Sequence, residues 1–133
     1  LNNACPKNNF LLPITELIID ATIGYKVLSF MDDSSNYNQI RMAHENEKLI
    51  AFHTPKDIYY YKVMSFSFKN IEAIYQKIMQ NIFDYMLHKN IEYYVNDLVV
   101  KSKKKNNHLE NLRQIFDWLK MYQIKINPLK CAF

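Results

Sequence analysis

One glycine, Gly24, stands in 133 residues, where an ordinary chain carries roughly 7%. Asn, Ile and Lys are abundant in its place. Backbone positions that need positive φ must therefore be filled by residues that adopt it at a cost. Cysteine is nearly as scarce. Cys5 and Cys131 lie at opposite ends, which excludes the spaced framework of a disulfide-rich secreted domain. Neither has a partner at metal-ligand spacing, and His44, His53, His88 and His108 form no HxxxH or CxxC pattern. All six read as structural or surface residues, and a zinc site is not supported. No apolar run approaches the roughly 20 residues of a membrane span. The opening LNNACPKNNF lacks the charged and apolar regions of a signal peptide. It also begins without methionine, so the chain reads as a fragment.

What is present suffices for a core. Hydrophobic residues make up 49% and aromatics 14%, which argues one domain or part of one and against disorder. The net charge of +4 suits a polyanionic partner but discriminates weakly.

Periodicity changes along the chain. Ile14, Leu17, Ile18 and Ala21 recur at helical spacing, with Gly24 where a C-terminal cap falls. KVLSFMD (26–32) reads as a buried strand ending on an acid. NQIRMA (38–43), LIAFHT (49–54) and IYYYKVMSF (58–66) are further strand candidates, with a turn at Pro55-Lys56-Asp57. Ile71, Ile74, Ile78, Ile82 and Tyr85 mark a helix face over about 70–88. IEYYVNDLVV then reads as a hairpin turning at Asn96-Asp97. Leu109, Leu112, Phe116 and Leu119, flanked by Trp118, mark a helix over about 108–122, and IKIN begins a last strand. Hairpins with helices on one face predict an α+β antiparallel sheet rather than a doubly wound parallel one.

Two acids close apolar strand patterns, Asp32 after VLSFM and Asp97 in the hairpin. An unpaired carboxylate is costly to desolvate, so such acids point to a bound partner. Brought together by a sheet, they suit Mg²⁺, a hard cation that prefers carboxylate and phosphate oxygens. On spacing alone, two exposed loop acids remain the alternative.

LSFMDDSSNYNQIRM, FKNIEAIYQKIM, YYVNDLVVKSK and INPLKCAF, preceded by CPKNNFLLPITELIIDATIGYKVLSF, resemble successive motifs of the reverse transcriptase of gypsy-class LTR retrotransposons. The resemblance runs end to end, in order and at the family's spacing. It implies an RNA-directed DNA polymerase of right-hand form, this chain being palm with part of the fingers. About 1–25 and 45–64 would be fingers-side segments, and about 26–44 and 65–133 palm. It implies two Mg²⁺ ions, replaceable by Mn²⁺, held by three aspartates, with a template–primer and a dNTP as partners. It also implies no membrane, a cytoplasmic retroelement particle, and a parent polyprotein with protease, RNase H and integrase segments. Basic finger residues that hold the triphosphate would lie upstream of LNNACPK, and the primer grip and thumb downstream of CAF.

Residue by residue, Asp32 matches the first catalytic aspartate and Asp97 the second acid of the Tyr-x-Asp-Asp hairpin. Tyr94 and Val95 are its lead-in, Tyr94 being expected to touch template–primer. Tyr37 matches the aromatic under the incoming sugar. Ser35 and Asn36 match positions whose amides meet the triphosphate, although the family usually has glycine at Asn36. MSFSFKN stands in place of Met-Pro-Phe-Gly-Leu-Lys-Asn, keeping Phe66 beside the nucleotide but putting serine at Ser65 and Ser67. Lys101, Lys103, Lys104 and Lys105 are candidates for the template–primer backbone, a solvated loop being the alternative.

Asn96 occupies the place of the other hairpin aspartate. It is nearly isosteric with aspartate but neutral, with one oxygen to offer a metal. Losing one preorganised stabiliser of transition-state charge costs ~10²–10³ in rate. Asp33 does not replace it, because adjacent strand residues point to opposite faces. The chain therefore reads as a polymerase by lineage with impaired activity. The alternatives are a non-catalytic nucleic-acid-binding remnant and a relic without function.

Overall fold

The computed structural model describes residues 6–12, 14–33, 36–65 and 67–133. In chain order the elements are α1 (Thr15–Asp20), β1 (Val27–Asp32), α2 (His44–Glu47), β2 (Ala51–His53), β3 (Ile58–Tyr60), α3 (Ile71–Phe83), β4 (Ile91–Tyr94), β5 (Asp97–Ser102) and α4 (His108–Met121). The result is an α+β chain. β1, β5 and β4 form an antiparallel sheet in that order, while β2 and β3 form a separate two-stranded ribbon. Among the described residues, no helix is long and apolar enough to cross a membrane.

Side-chain alternation gives the main sheet two faces. Ser29 and Met31, Ile91 and Tyr93, and Leu98, Val100 and Ser102 share one face, and the ladder register aligns them. There they pack under α3 and α4 around Tyr75, Met79, Phe83, Ile115 and Leu119. The other face carries Leu28, Phe30 and Asp32 beside Asp97, Val99 and Lys101. Beyond β1 the terminal segment adds two antiparallel bridges, Asp33 with Ile126 and Phe30 with Ala132. Pro128 opens a short 3₁₀ turn between them, so the strand expected at IKIN exists only as isolated bridges.

Several expectations shift. NQIRMA is not a strand: residues 36–39 make a 3₁₀ turn, and Arg41 only bridges Val63. The strand expected over 58–66 is regular only to Tyr60. The buried stripe of α3 is Ile71, Tyr75, Gln76, Met79 and Phe83, with Ile74 and Ile82 on its flank and Tyr85 exposed beyond the helix. In α4 the buried residues are His108, Leu112, Ile115 and Leu119, whereas Leu109 and Phe116 face outward. In both helices apolarity alone gave the face only in part: Ile71, Leu112 and Leu119 are buried as expected, while Tyr75, Gln76 and His108 join them because they find buried hydrogen-bond partners. His108 lies between the Ser29 and Ser102 hydroxyls at 2.7 and 2.8 Å, joining α4 to β1 and β5.

Glycine scarcity has a visible counterpart. Gly24 closes the turn after α1 at φ +83, while His88, Val95 and Gln123 adopt positive φ without being glycine. Gln123 sits in the left-handed position that ends α4. Its N–H bonds the Lys120 carbonyl and the Ile124 N–H bonds that of Leu119, the pairing of a Schellman motif.

Two outcomes follow. Gln123→Gly should stabilise the chain by about 0.5–1 kcal/mol in denaturant unfolding, since the left-handed strain is relieved in part against glycine's greater unfolded entropy. Burial lowers the His108 pKa, so the folded chain binds that proton less tightly than the unfolded one. Its stabilising contribution is complete above the unfolded value of about 6.5 and is lost as pH falls. Unfolding stability should therefore fall as pH is lowered from about 7.5 to about 6, and His108→Gln should shrink that fall.

Candidate functional site

The β4–β5 turn consists of Val95 and Asn96, one residue earlier than the sequence suggested. Asp97 is thus the first residue of β5 rather than a loop residue. It stands opposite Tyr94 on one side and Asp32 on the other. The two acids are brought together as direct neighbours of an antiparallel ladder. Burial first, and then the Asp32 charge, push the Asp97 carboxyl above its ordinary pKa, while Lys130 pulls it down.

The turn is strained and clamped. Val95 is β-branched yet has φ 53, a conformation that persists only when its surroundings impose it. The imposing group is Gln76 of α3, fully buried. Its Oε1 accepts from the Val95 N–H at 2.7 Å and its Nε2 donates to the Tyr93 carbonyl at 3.0 Å. Below the turn, Asp33 points away from Asp32 into the helix-covered face. Its Oδ2 meets the hydroxyls of Tyr75 at 2.6 Å and Tyr93 at 2.8 Å. Burial raises the Asp33 pKa to about 6, against the lowering effect of both tyrosines. Asp33 is a framework residue here, and its N–H also bonds the Asn96 carbonyl.

Asn96 contacts the Tyr37 hydroxyl through its side chain, and its Oδ1 is buried with no hydrogen-bond partner. Tyr37 is itself buried, its ring edge-on to Tyr75 at 5.1 Å. Asp32, Asp97, Asn96, Tyr94 and Tyr37 therefore gather at one end of the sheet. Ser35 and Phe66 lie outside the described residues, as does the side chain of Asn36, whose backbone opens the 3₁₀ turn 36–39.

Lys101 departs from its expected place. Lys101 is not a surface cation: it is 2% exposed, ion-paired with Glu92, and donates to the Ala21 carbonyl at 2.9 Å. A carboxylate this deeply buried needs a paired cation, and Lys101 is committed to that role. It cannot at the same time reach a template–primer backbone. Lys103 lies beyond the far end of β5, about 20 Å along the strand from Asp97 at ~3.4 Å per residue.

Sequence reasoning missed Lys130. The Pro128–Lys130 turn brings its ammonium to 3.1 Å from Asp32 Oδ2. The anchor is local, since the Asn127 N–H bonds the Asp32 carbonyl and Asn127 Oδ1 accepts from Leu129. Its only sequence signal was Asn-Pro before a lysine, a turn signal without an address. The Lys130 side chain is 68% exposed, so the pair is worth at most about 1 kcal/mol and yields readily to a stronger cation.

The donor set bears on a divalent metal. The carboxylates of Asp32 and Asp97 are of the oxygen type that a hard cation prefers. Among the described residues no group of three or more acidic, histidine or cysteine side chains is placed to hold a metal.

Residues 2–133 match the family described as "Reverse transcriptase (RNA-dependent DNA polymerase)". The chain is 26% identical over all 133 residues to the Transposon Tf2-3 polyprotein of Schizosaccharomyces pombe, and 25% identical to the Tf2-7 polyprotein of that organism. It spans about 10% of the length of each. Among solved structures it is similar to the foamy viral protease-reverse transcriptase in complex with RNA/DNA hybrid, with TM-score 0.86 and 17% identity. That match covers 99% of this chain and 18% of the other. The dRH form of the foamy viral protein with double-stranded DNA gives TM-score 0.88 at 17% identity, covering 99% and 23%. The fold is that of a polymerase palm with part of the fingers.

Gln76→Leu should lower unfolding stability by about 2–4 kcal/mol in urea, because it strands two buried backbone groups beside Val95.

Proposed function

The chain belongs to the reverse transcriptase (RNA-dependent DNA polymerase) family, and on that basis we propose that it is the nucleotidyl-transfer segment of a retrotransposon polyprotein, with its chemistry weakened at Asn96. The observation that carries this reading is Asp32 opposite Asp97, with a neutral amide in the turn beside them. In this reading about 1–25 and 45–64 are fingers-side and about 26–44 and 65–133 palm. The partners are a template–primer and a dNTP, and the setting is a cytoplasmic particle whose polyprotein also carries protease, RNase H and integrase segments.

Asp32 and Asp97 would hold Mg²⁺ or Mn²⁺, which when bound activates a primer 3′-hydroxyl and steadies the triphosphate. Tyr37 underlies the sugar, and Ser35, Asn36 and Phe66 border the nucleotide. Tyr94, paired with Asp97, borders the primer end. Asn96 contributes an oxygen but no charge, so the pocket has one negative charge fewer with which to oppose two cations. Lys130 partly neutralises Asp32 and must swing aside for a metal to enter. These last two features favour, as a second reading, a segment that retains nucleic-acid binding while transferring nucleotides poorly.

Primer extension on an RNA template with Mg²⁺ and then Mn²⁺ tests the proposal. Asn96→Asp should raise incorporation by ~10²–10³, and Asp97→Asn should abolish it in that background. Calorimetric titration with Mn²⁺ should show tighter binding for Asn96→Asp than for the unmodified chain. Equal rates and equal Mn²⁺ affinity with asparagine or aspartate at position 96 would refute the assigned defect. Salt-sensitive hybrid binding without extension in any variant would favour the second reading.

A further inference from the structure

At the end of β5 remote from Asp97 lies an open pocket of about 470 Å³. Lys89, Lys103 and Lys104 stand around it, with Tyr25, Asn107 and Asn111 completing the wall. No carboxylate lines it among the described residues, and none of those three lysines makes an ion pair there. Lys103 instead rests over the Tyr25 ring, 5.8 Å from its centre. The positive charge of the pocket is thus uncompensated by the protein.

The floor is built rather than incidental. Lys101 and Ser102 form it, both 2% exposed. Lys101 is fixed by Glu92 and by the Ala21 carbonyl. The Ser102 hydroxyl accepts from Asn111 Nδ2 at 2.7 Å, and Asn111 Oδ1 accepts from Asn90 at 3.4 Å. The Tyr25 hydroxyl donates to the Lys89 carbonyl at 3.2 Å, holding that rim in place. Asn107 immediately precedes the fourteen-residue helix α4, whose amino end adds partial positive charge. Lys89 rests over the Tyr85 ring at 4.3 Å, so aromatic faces rather than carboxylates meet two of the three ammonium groups. A rigid polar floor, three ammonium groups without a carboxylate partner and a helix amino end form a combination suited to a multiply charged oxyanion.

We propose that this pocket is a phosphate-binding subsite, separate from the acid pair and about 17 Å along β5 from Asp97 at ~3.4 Å per residue. Its ligand is a phosphate group, carried either by a polynucleotide backbone or by a small phosphate compound. The inference does not depend on the chain retaining nucleotidyl transfer, because none of the pocket residues belongs to the acid end of the sheet.

The test is a ¹⁵N NMR titration of the 133-residue chain, once with inorganic pyrophosphate and once with a single-stranded ten-nucleotide oligothymidylate. Saturable shifts should concentrate at Asn90 and the amides of residues 102–111. Lys103→Gln with Lys104→Gln should weaken both ligands at least tenfold and reduce the oligonucleotide's log-affinity salt slope by about 1.4. The control Lys48→Gln with Lys56→Gln, at the separate ribbon, removes the same charge and should leave both affinities unchanged. Competition between the two ligands for the same signals assigns the site to backbone phosphate. Pyrophosphate shifts without oligonucleotide shifts assign it to a small compound. Absence of saturable shifts from either ligand, or equal weakening in the control, would overturn the proposal.

Discussion

The two bonds that Gln76 makes across the β4–β5 turn constrain everything at the acid end of the sheet. Val95 holds positive φ against its own branched side chain, and the Tyr93 carbonyl and Val95 N–H would otherwise be stranded in the interior. One amide satisfies both groups. It thereby fixes the turn at Val95-Asn96, and with it the register that sets Asp97 against Asp32. A slip of one residue would send Asp97 to the helix face and Leu98 to the open one. The Tyr75 and Tyr93 hydroxyls on Asp33 reinforce the same choice from below, and the Asp33 N–H closes the ladder on the Asn96 carbonyl.

The sheet carries polar clusters of three different kinds. At one end the carboxylates of Asp32 and Asp97 are set side by side, with the exposed Lys130 offsetting Asp32. Near the other end, Glu92 and Lys101 neutralise each other in the interior, and His108 ties two serines together. The ion pair specifies where β4 and β5 meet the α1 side, because each partner would be costly to bury alone. Charge left open to solvent and charge neutralised in the interior are thus segregated along one strand, β5, which begins at Asp97 and contains Lys101.

Much of this was legible in the sequence. VLSFMD and IEYYVNDLVV gave strands because apolar runs bounded by polar residues have few other uses, and the long helices 71–83 and 108–121 followed from their period. The expectation that Asp32 and Asp97 act together came from motif resemblance; the ladder register sets the two residues opposite each other. The phases of α3 and α4 were legible only in part: Ile71, Leu112 and Leu119 are buried as expected, but a hydropathy pattern counts Gln76 and His108 as outward-facing while their partners lie far away in sequence. Lys101 misled for the same reason: in a run of four lysines, the one inside the strand is buried by Glu92, nine residues earlier. Lys130 escaped notice because its neighbour Asp32 is reached only through a turn and two isolated bridges.

The unpartnered Oδ1 of Asn96 has a corollary for the fold. The backbone of that residue holds the ladder, through its carbonyl and the Asp33 N–H, whereas its side-chain oxygen supports nothing. The fold therefore asks little of that oxygen: what fixes the residue in place is its main chain, so the chemistry of the side-chain atom is free to answer to something other than folding.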